Sequence, residues 1–450
     1  MASLWFKTAL LPTGWADNVR LTIADGKFHS VEVDAAAQPG DECQAIAVPG
    51  LCNVHSHGFQ RGMAGLSEHR GTGDDDFWSW REVMYRFLDR LTPDDVQAIC
   101  AMAYVEMLET GYTRVGEFHY LHNGPDGERY SDPAEMAGRV VTAAEATGIG
   151  LTLLPVFYAH SGFGGAAPKP GQRRFLSSID TFQTLLDASA ALLPADGVLG
   201  IAPHSLRAVT GEELGLLVAM HPQGPIHIHA AEQVKEVEAS IAFSGARPVE
   251  WLLDQVGLDE RWCLIHATHL TGAETDALAA SGAVAGLCPI TEANLGDGIF
   301  PAMRYLAAGG RIATGTDSNI LIDPAQEIRA LEYSQRLAHR ARNVLGEAGQ
   351  PSIAGRLFNA VLAGGGQAVG VPQGIAIGVS ADFITLNEQH PSLHGRHGDY
   401  LLDSWIFAAR TGCVDSVWRR GNRLVSGGRH RDAEAVSVQY KATLDRILAA

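Results

Sequence analysis

Short apolar runs recur along the middle of the chain, at Leu51–His57, Thr113–His119, Gly150–Tyr158, Val198–His204, Ile226–His229, Trp262–His266, Ala283–Pro289 and Arg311–Thr316. Each reads as a strand, and between them lie helical patterns with start and stop signals. Thr92-Pro93-Asp94-Asp95 opens a helix to about Thr110, with Gly111 as its stop. Thr210-Gly211-Glu212-Glu213 and Thr271-Gly272-Ala273-Glu274 open two more, and Pro324 to about Arg342 reads as a long final helix. Eight strands, each followed by a helix, predict an α/β chain folded as a parallel, TIM-like (β/α)8 barrel over residues 49–370. The chain ends differ. Residues 1–48 carry short alternating segments with turns at Ala24-Asp25-Gly26 and Gln38-Pro39-Gly40. Beyond residue 371, Gly374–Val379, Ala381–Leu386 and Val414–Gly428 read as β segments with tight turns. Residues 1–48 and 371–450 are expected to pair into a small β-sandwich domain beside the barrel.

His55 and His57 close the first barrel strand, where a period of two aims both rings to one face. His229 ends Pro-Ile-His-Ile-His, His266 ends Trp-Cys-Leu-Ile-His, and Asp317 follows Arg-Ile-Ala-Thr-Gly-Thr. In a (β/α)8 barrel the active residues gather at the C-terminal ends of the strands, where all five lie. Neutral imidazole is a favoured ligand of zinc and similar ions, so this set predicts a metal site. Neighbouring histidines read otherwise. His227 falls one layer deeper as a core or supporting residue, His269 has left its strand for a loop, and His119 reads as pocket wall.

Hydrophobic content of 46% against 19% charged describes a chain that buries a large core. The formal charge of -17, with no basic run, argues against a nucleic-acid partner. No stretch is apolar for the length a membrane span needs. The N-terminus lacks a signal-peptide pattern, which points to the cytoplasm. The six cysteines are scattered without a Cys-x-x-Cys pair and read as reduced thiols.

Taken together, these motifs resemble the amidohydrolase superfamily over nearly the whole chain. That resemblance implies metal ligation by His55, His57, His229 and Asp317, with His266 touching the hydrolytic water. His229-Ala230-Ala231-Glu232 resembles the His-x-x-Glu of the deaminase branch, which implies that Glu232 is an acid/base. Binuclear members bridge their metals with a carboxylated lysine on the fourth strand. The five lysines here (Lys7, Lys27, Lys169, Lys235 and Lys441) all lie outside Val198–His204, which implies a single divalent metal. Three imidazoles and a carboxylate suit zinc, with iron(II) as the alternative. A bound zinc ion lowers the pKa of its water to about 7. Asp317 would then take the proton of the attacking water, and Glu232 would carry one to the departing nitrogen.

Gln60, Arg81, Tyr120, His204 and Arg207 fall on loops leaving the catalytic end of the barrel. Arginines placed there in an acidic protein suit an anion, since guanidinium engages carboxylates in bidentate pairs. The segments His55-Ser-His-Gly-Phe-Gln-Arg-Gly-Met-Ala-Gly65, Phe77-Trp-Ser-Trp-Arg81 and Ala202-Pro-His-Ser-Leu-Arg-Ala208 resemble amidohydrolases that hydrolyse a formimino group on an amino acid. This implies a small dicarboxylate substrate anchored by Arg81 and Arg207, with Gln60, Tyr120 and His204 completing the pocket. Leu287-Cys-Pro-Ile-Thr-Glu-Ala-Asn-Leu295 departs from the Asn-x-Pro-x-Ser-Asn of the aromatic deaminases. Two alternatives stay open: deamination of a heteroaromatic ring, in which both arginines would be structural, and a non-catalytic assembly role. The family also implies a homodimer.

Overall fold

A computed structural model describes residues 2–70 and 77–449. Eight strands from both chain ends form one sheet, in the order Arg429–His430, Asn422–Ser426, Val414–Arg419, Phe383–Leu386, Glu42–Pro49, Ala2–Leu11, Gly14–Ala24, Lys27–Glu32. Only Ala2–Leu11 and Glu42–Pro49 pair in parallel. The turn at Asp25 and Gly26 has both residues at positive φ, 53° and 77°, which suits a tight hairpin. Alternation buries one face, where Phe6, Phe28, Phe383 and Trp418 pack ring on ring. Strand Glu42–Pro49 then runs through Gly50 directly into the first barrel strand, Leu51–Ser56.

The barrel strands are Leu51–Ser56, Tyr112–His119, Gly150–Phe157, the short pair Val198–Leu199 and Ala202–Pro203, Ile226–Ala230, Trp262–His266, Val284–Leu287 and Arg311–Thr314. They pair in parallel as two runs, one from Leu51 to Pro203 and one from Ile226 to Thr314. Single bridges close the ring at Ile201 to Ile226 and Ser205 to His229 on one side, and Ser56 to Asp317 on the other. The helices start where the polar signals fall. Thr92, Thr210 and Thr271 each accept from the backbone N–H three residues on, and Asp95, Glu213 and Glu274 reach back to cap the other way. Gly111 stops the first of these in a left-handed conformation, φ 111°.

Three sequence expectations differ from the structure. Gly374–Val379 forms turns and no strand, because Gly374 and Gly378 adopt positive φ within it. Phe77-Trp-Ser-Trp-Arg81, taken as part of a loop, begins a helix, Phe77–Leu88. The helix Pro324–His339 is not the last of the barrel, for Ile353–Ala368 follows and packs on strands Arg311–Thr314 and Leu51–Ser56. That helix contains Gly364-Gly365-Gly366, a poor helical sequence that serves close approach. A Cβ on Gly364 would strike the carbonyl oxygen of Ile312. Gly364→Ala is expected to cost about 1–3 kcal/mol by overpacking, read as a lower urea midpoint at unchanged slope. An unchanged midpoint would show that the helix simply shifts outward.

Candidate active site

His55, His57, His229 and Asp317 come together at the C-terminal mouth of the barrel, each offering a ligand atom within 4.8 Å of the others. His55 Nε2 and His57 Nε2 each lie 3.2 Å from Asp317 Oδ1, and His229 Nε2 lies 3.1 Å from His55 Nε2. The tautomers are set from behind. His57 Nδ1 donates to the Phe118 carbonyl at 2.9 Å, and His229 Nδ1 donates to that of His204 at 3.0 Å. Their Nε2 atoms therefore present lone pairs to the same point. Burial pushes His55 down to about 3 and His229 well below the usual imidazole value, so both rings are neutral. Buried lone pairs converging on a carboxylate repel one another unless a cation lies among them. The donor set thus fits a divalent ion, with second-layer carbonyls of the kind that orient metal-bound histidines.

Backbone strain gathers at the same mouth. Ala231, His266, Ala267, Asp317 and Asn319 all have positive φ, between 45° and 68°, without being glycine. Such conformations persist where surrounding contacts impose them, and they cluster at functional sites. Asn319 supplies those contacts: its Nδ2 reaches Ser56 Oγ and the carbonyls of His57 and Asp317 at 3.1–3.2 Å. Asn53 joins from the first strand through Thr316, which in turn donates to Asn319 Oδ1 at 2.6 Å.

Glu232 and His266 stand beside the ligand cluster. His266 Nε2 is 4.0 Å from Glu232 Oε1 and 3.9 Å from Asp317 Oδ2. Burial opposes charge on His266, but the hydrogen bond to Glu292 and the carboxylates of Glu232 and Asp317 push it up to about 10. Burial raises the Glu232 carboxyl above its usual range, while His266 and Arg207 pull against it. Arg207 Nη2 lies 3.4 Å from Glu232 Oε2.

Sequence reasoning missed the carboxylates around this pair. Glu292 Oε1 accepts from His266 Nδ1 at 3.2 Å and from the Cys288 N–H at 2.8 Å. Glu236 accepts the backbone N–H of both Ala231 and Glu232. Asp297 is hydrogen-bonded by Gln233, and burial together with Glu232 pushes its carboxyl up to about 9.

Gln60, Arg81, Tyr120, His204 and Arg207 all line one pocket with His57, His229, Glu232, His266 and Asp317. Gln60 Nε2 donates to Tyr120 Oη at 2.7 Å, leaving the buried Gln60 Oε1 with no protein partner. His204 is held neutral by burial and by Arg207, and its Nδ1 pairs with Ser205 Oγ at 3.0 Å. The rejected histidines lie elsewhere. His227 Nε2 donates to the Ala368 carbonyl at 2.7 Å in the core, and His269 sits in a loop. His119, expected in the pocket wall, is instead buried outside this pocket's lining with neither ring nitrogen partnered.

Residues 46–424 match the model of the amidohydrolase family, and the chain belongs to that family. Residues 1–45 match a further model, described as formimidoylglutamate deiminase HutF, N-terminal domain. The chain is 48% identical to formimidoylglutamate deiminase of Pseudomonas aeruginosa, covering 100% of both sequences, and within the amidohydrolases it groups with the formimidoylglutamate deiminases. A solved amidohydrolase from Brucella melitensis is 51% identical with a TM-score of 0.97 and full coverage of both chains. A 5-methylthioadenosine/S-adenosylhomocysteine deaminase from Natronomonas pharaonis is 28% identical over 88% of this chain and 85% of its own.

Proposed function

We propose that the protein hydrolyses N-formimino-L-glutamate to N-formyl-L-glutamate and ammonia, using residues 49–370 as the catalytic barrel and both chain ends as the smaller domain. The observation that carries this reading is a single pocket lined by His57, His229 and Asp317 of the four-ligand cluster, by the Glu232–His266 pair and by two arginines, with His55 buried behind them. Full-length similarity to a formimidoylglutamate deiminase supports the same substrate.

His55, His57, His229 and Asp317 would hold one divalent ion, which we infer to be zinc because three imidazoles and a carboxylate suit it. Such an ion supplies, when bound, a water of lowered pKa and an electrophilic centre. The remaining chemistry belongs to side chains. The water oxygen bonds to the formimino carbon, and its proton passes to Asp317 Oδ2, on the side of the carboxylate that faces His266. His266 steadies the oxygen of the tetrahedral intermediate. Glu232, raised by burial, takes the other proton of that water and carries it to the terminal nitrogen. The bond from carbon to that nitrogen then breaks as the proton held by Asp317 passes to the same nitrogen. Ammonia thus leaves with both water hydrogens, both carboxylates are restored, and the formyl carbonyl remains. Arg81 and Arg207 bind the two carboxylates, while Gln60, Tyr120 and His204 orient the amino-acid part.

Purified, zinc-loaded protein should release ammonia rapidly from N-formimino-L-glutamate and not from guanine or adenosine. Release from a ring substrate alone would overturn the anion pocket. Arg207→Ala should raise KM for the dicarboxylate by about 10²-fold, the scale of a lost charge-assisted pair, with far less effect on a neutral imine. Equal effects on both compounds would remove Arg207 from the anchoring role.

A further inference from the structure

The helix Phe77–Leu88 presents Trp78, Arg81 and Tyr85 at spacings of three and four, so they share one face. The Arg81 guanidinium carbon lies 4.3 Å from the centre of the Trp78 ring and 5.7 Å from that of Tyr85. The Arg207 guanidinium, arriving from the loop after Ala202–Pro203, lies 5.9 Å from the same Trp78 ring. Arg81, Arg207 and Tyr85 line the pocket, whereas Trp78 stands outside its lining. One indole thus lies within 6 Å of both cations and joins the helix to the barrel wall.

Two guanidinium groups share this pocket, and Arg207 also lies 3.4 Å from Glu232 Oε2. An aromatic face carries negative quadrupole density and attracts both, within the 6 Å over which such contacts act. Arginine is well suited to this, because its planar head can stack on a ring and hydrogen-bond through its N–H edges at the same time. Holding the planes in advance removes the cost of ordering two long side chains when the substrate binds.

We propose that Trp78 is a specificity-determining residue that positions Arg81 and Arg207 together as one clamp for a dicarboxylate. This rests on the reading of both arginines as substrate anchors. Trp78 touches no reacting atom, so its loss acts on binding and leaves the chemical step in place.

The test compares Trp78→Leu and Trp78→Phe on N-formimino-L-glutamate and on N-formiminoglycine, which has a single carboxylate. Trp78→Leu should raise KM for the dicarboxylate about tenfold, the size expected for losing two cation–π contacts. It should leave kcat within about twofold and change the glycine compound less. Trp78→Phe, which keeps an aromatic face, should recover most of the loss. Equal changes for both compounds, a fall in kcat at constant KM, or a Phe variant no better than Leu would each overturn the proposal.

Calorimetric binding of glutarate gives a readout free of turnover. Wild-type protein that binds glutarate yet releases no ammonia would sink the assigned reaction, and weakened binding in Trp78→Leu would still uphold the clamp. Unchanged glutarate binding in that variant would sink the clamp. Should Trp78→Leu fail to fold, Trp78→Met, which also removes the aromatic face, combined with Arg207→Ala decides the matter. A double variant no weaker in binding than Arg207→Ala alone supports action through that arginine, and fully additive losses refute it.

Discussion

Glu232→Gln should keep the fold and the bound metal while lowering kcat about 10³-fold, within the range that positioned proton transfer contributes. The amide matches the carboxylate in shape, and the backbone at this position is held by Glu236 through the Glu232 N–H at 3.1 Å. Geometry should therefore survive. The ability to accept a proton and hand it to the departing nitrogen should not. Steady-state kinetics together with metal analysis separate the outcomes: loss of metal along with activity would make Glu232 a structural residue. Burial already favours the protonated carboxyl here, and Arg207 at 3.4 Å keeps the ionised form accessible. A group balanced in this way can cycle between both states, which an acid/base must do.

Chelation should abolish turnover, and zinc should restore it. It should also lower the melting temperature by several degrees, because an ion bound only by the folded state stabilises it by mass action. The buried donor set gives a second reason. Without a cation, the His55 and His229 Nε2 atoms still sit 3.1 Å apart, and those of His55 and His57 each lie 3.2 Å from the same Asp317 oxygen. Metal analysis of the loaded protein should give about one equivalent per chain, the count expected of a single four-ligand site. Two equivalents would refute the single-ion reading, which follows from lysines lying outside the fourth-strand segment. Full activity after exhaustive chelation would remove the metal from the reaction altogether.

Residues that end strands were legible in the sequence because a short apolar run announces its own end. His55, His57, His229, His266 and Asp317 all sit where such a run stops, and the structure brings them to one mouth. The carboxylates around Glu232 and His266 had no such signal. Glu292 lies on the seven-residue helix Pro289–Leu295, Asp297 just beyond its glycine cap, and Glu236 in the first turn of Val234–Ser244. Acidic residues near helix ends are ordinary caps as often as they are site residues, and only tertiary contact distinguishes them. The helix Phe77–Leu88 was hidden by its aromatic opening, which favours strands or loops as readily as helices. Ile353–Ala368 was hidden by its three glycines, whose absent side chains let it approach Ile312. Local preference yielded there to packing.

The barrel is closed by two narrow seams, and the ligand set spans both. His55 and His57 belong to the run that begins at Leu51, while His229 and Asp317 belong to the other, each at a bridging position. Backbone bonds close each seam without help, among them His229 N–H to the His204 carbonyl and His57 N–H to the Asp317 carbonyl. An ion held by all four residues would add a clasp between the two halves at the mouth of the barrel, and this tie is where the expected loss of melting temperature on chelation would arise.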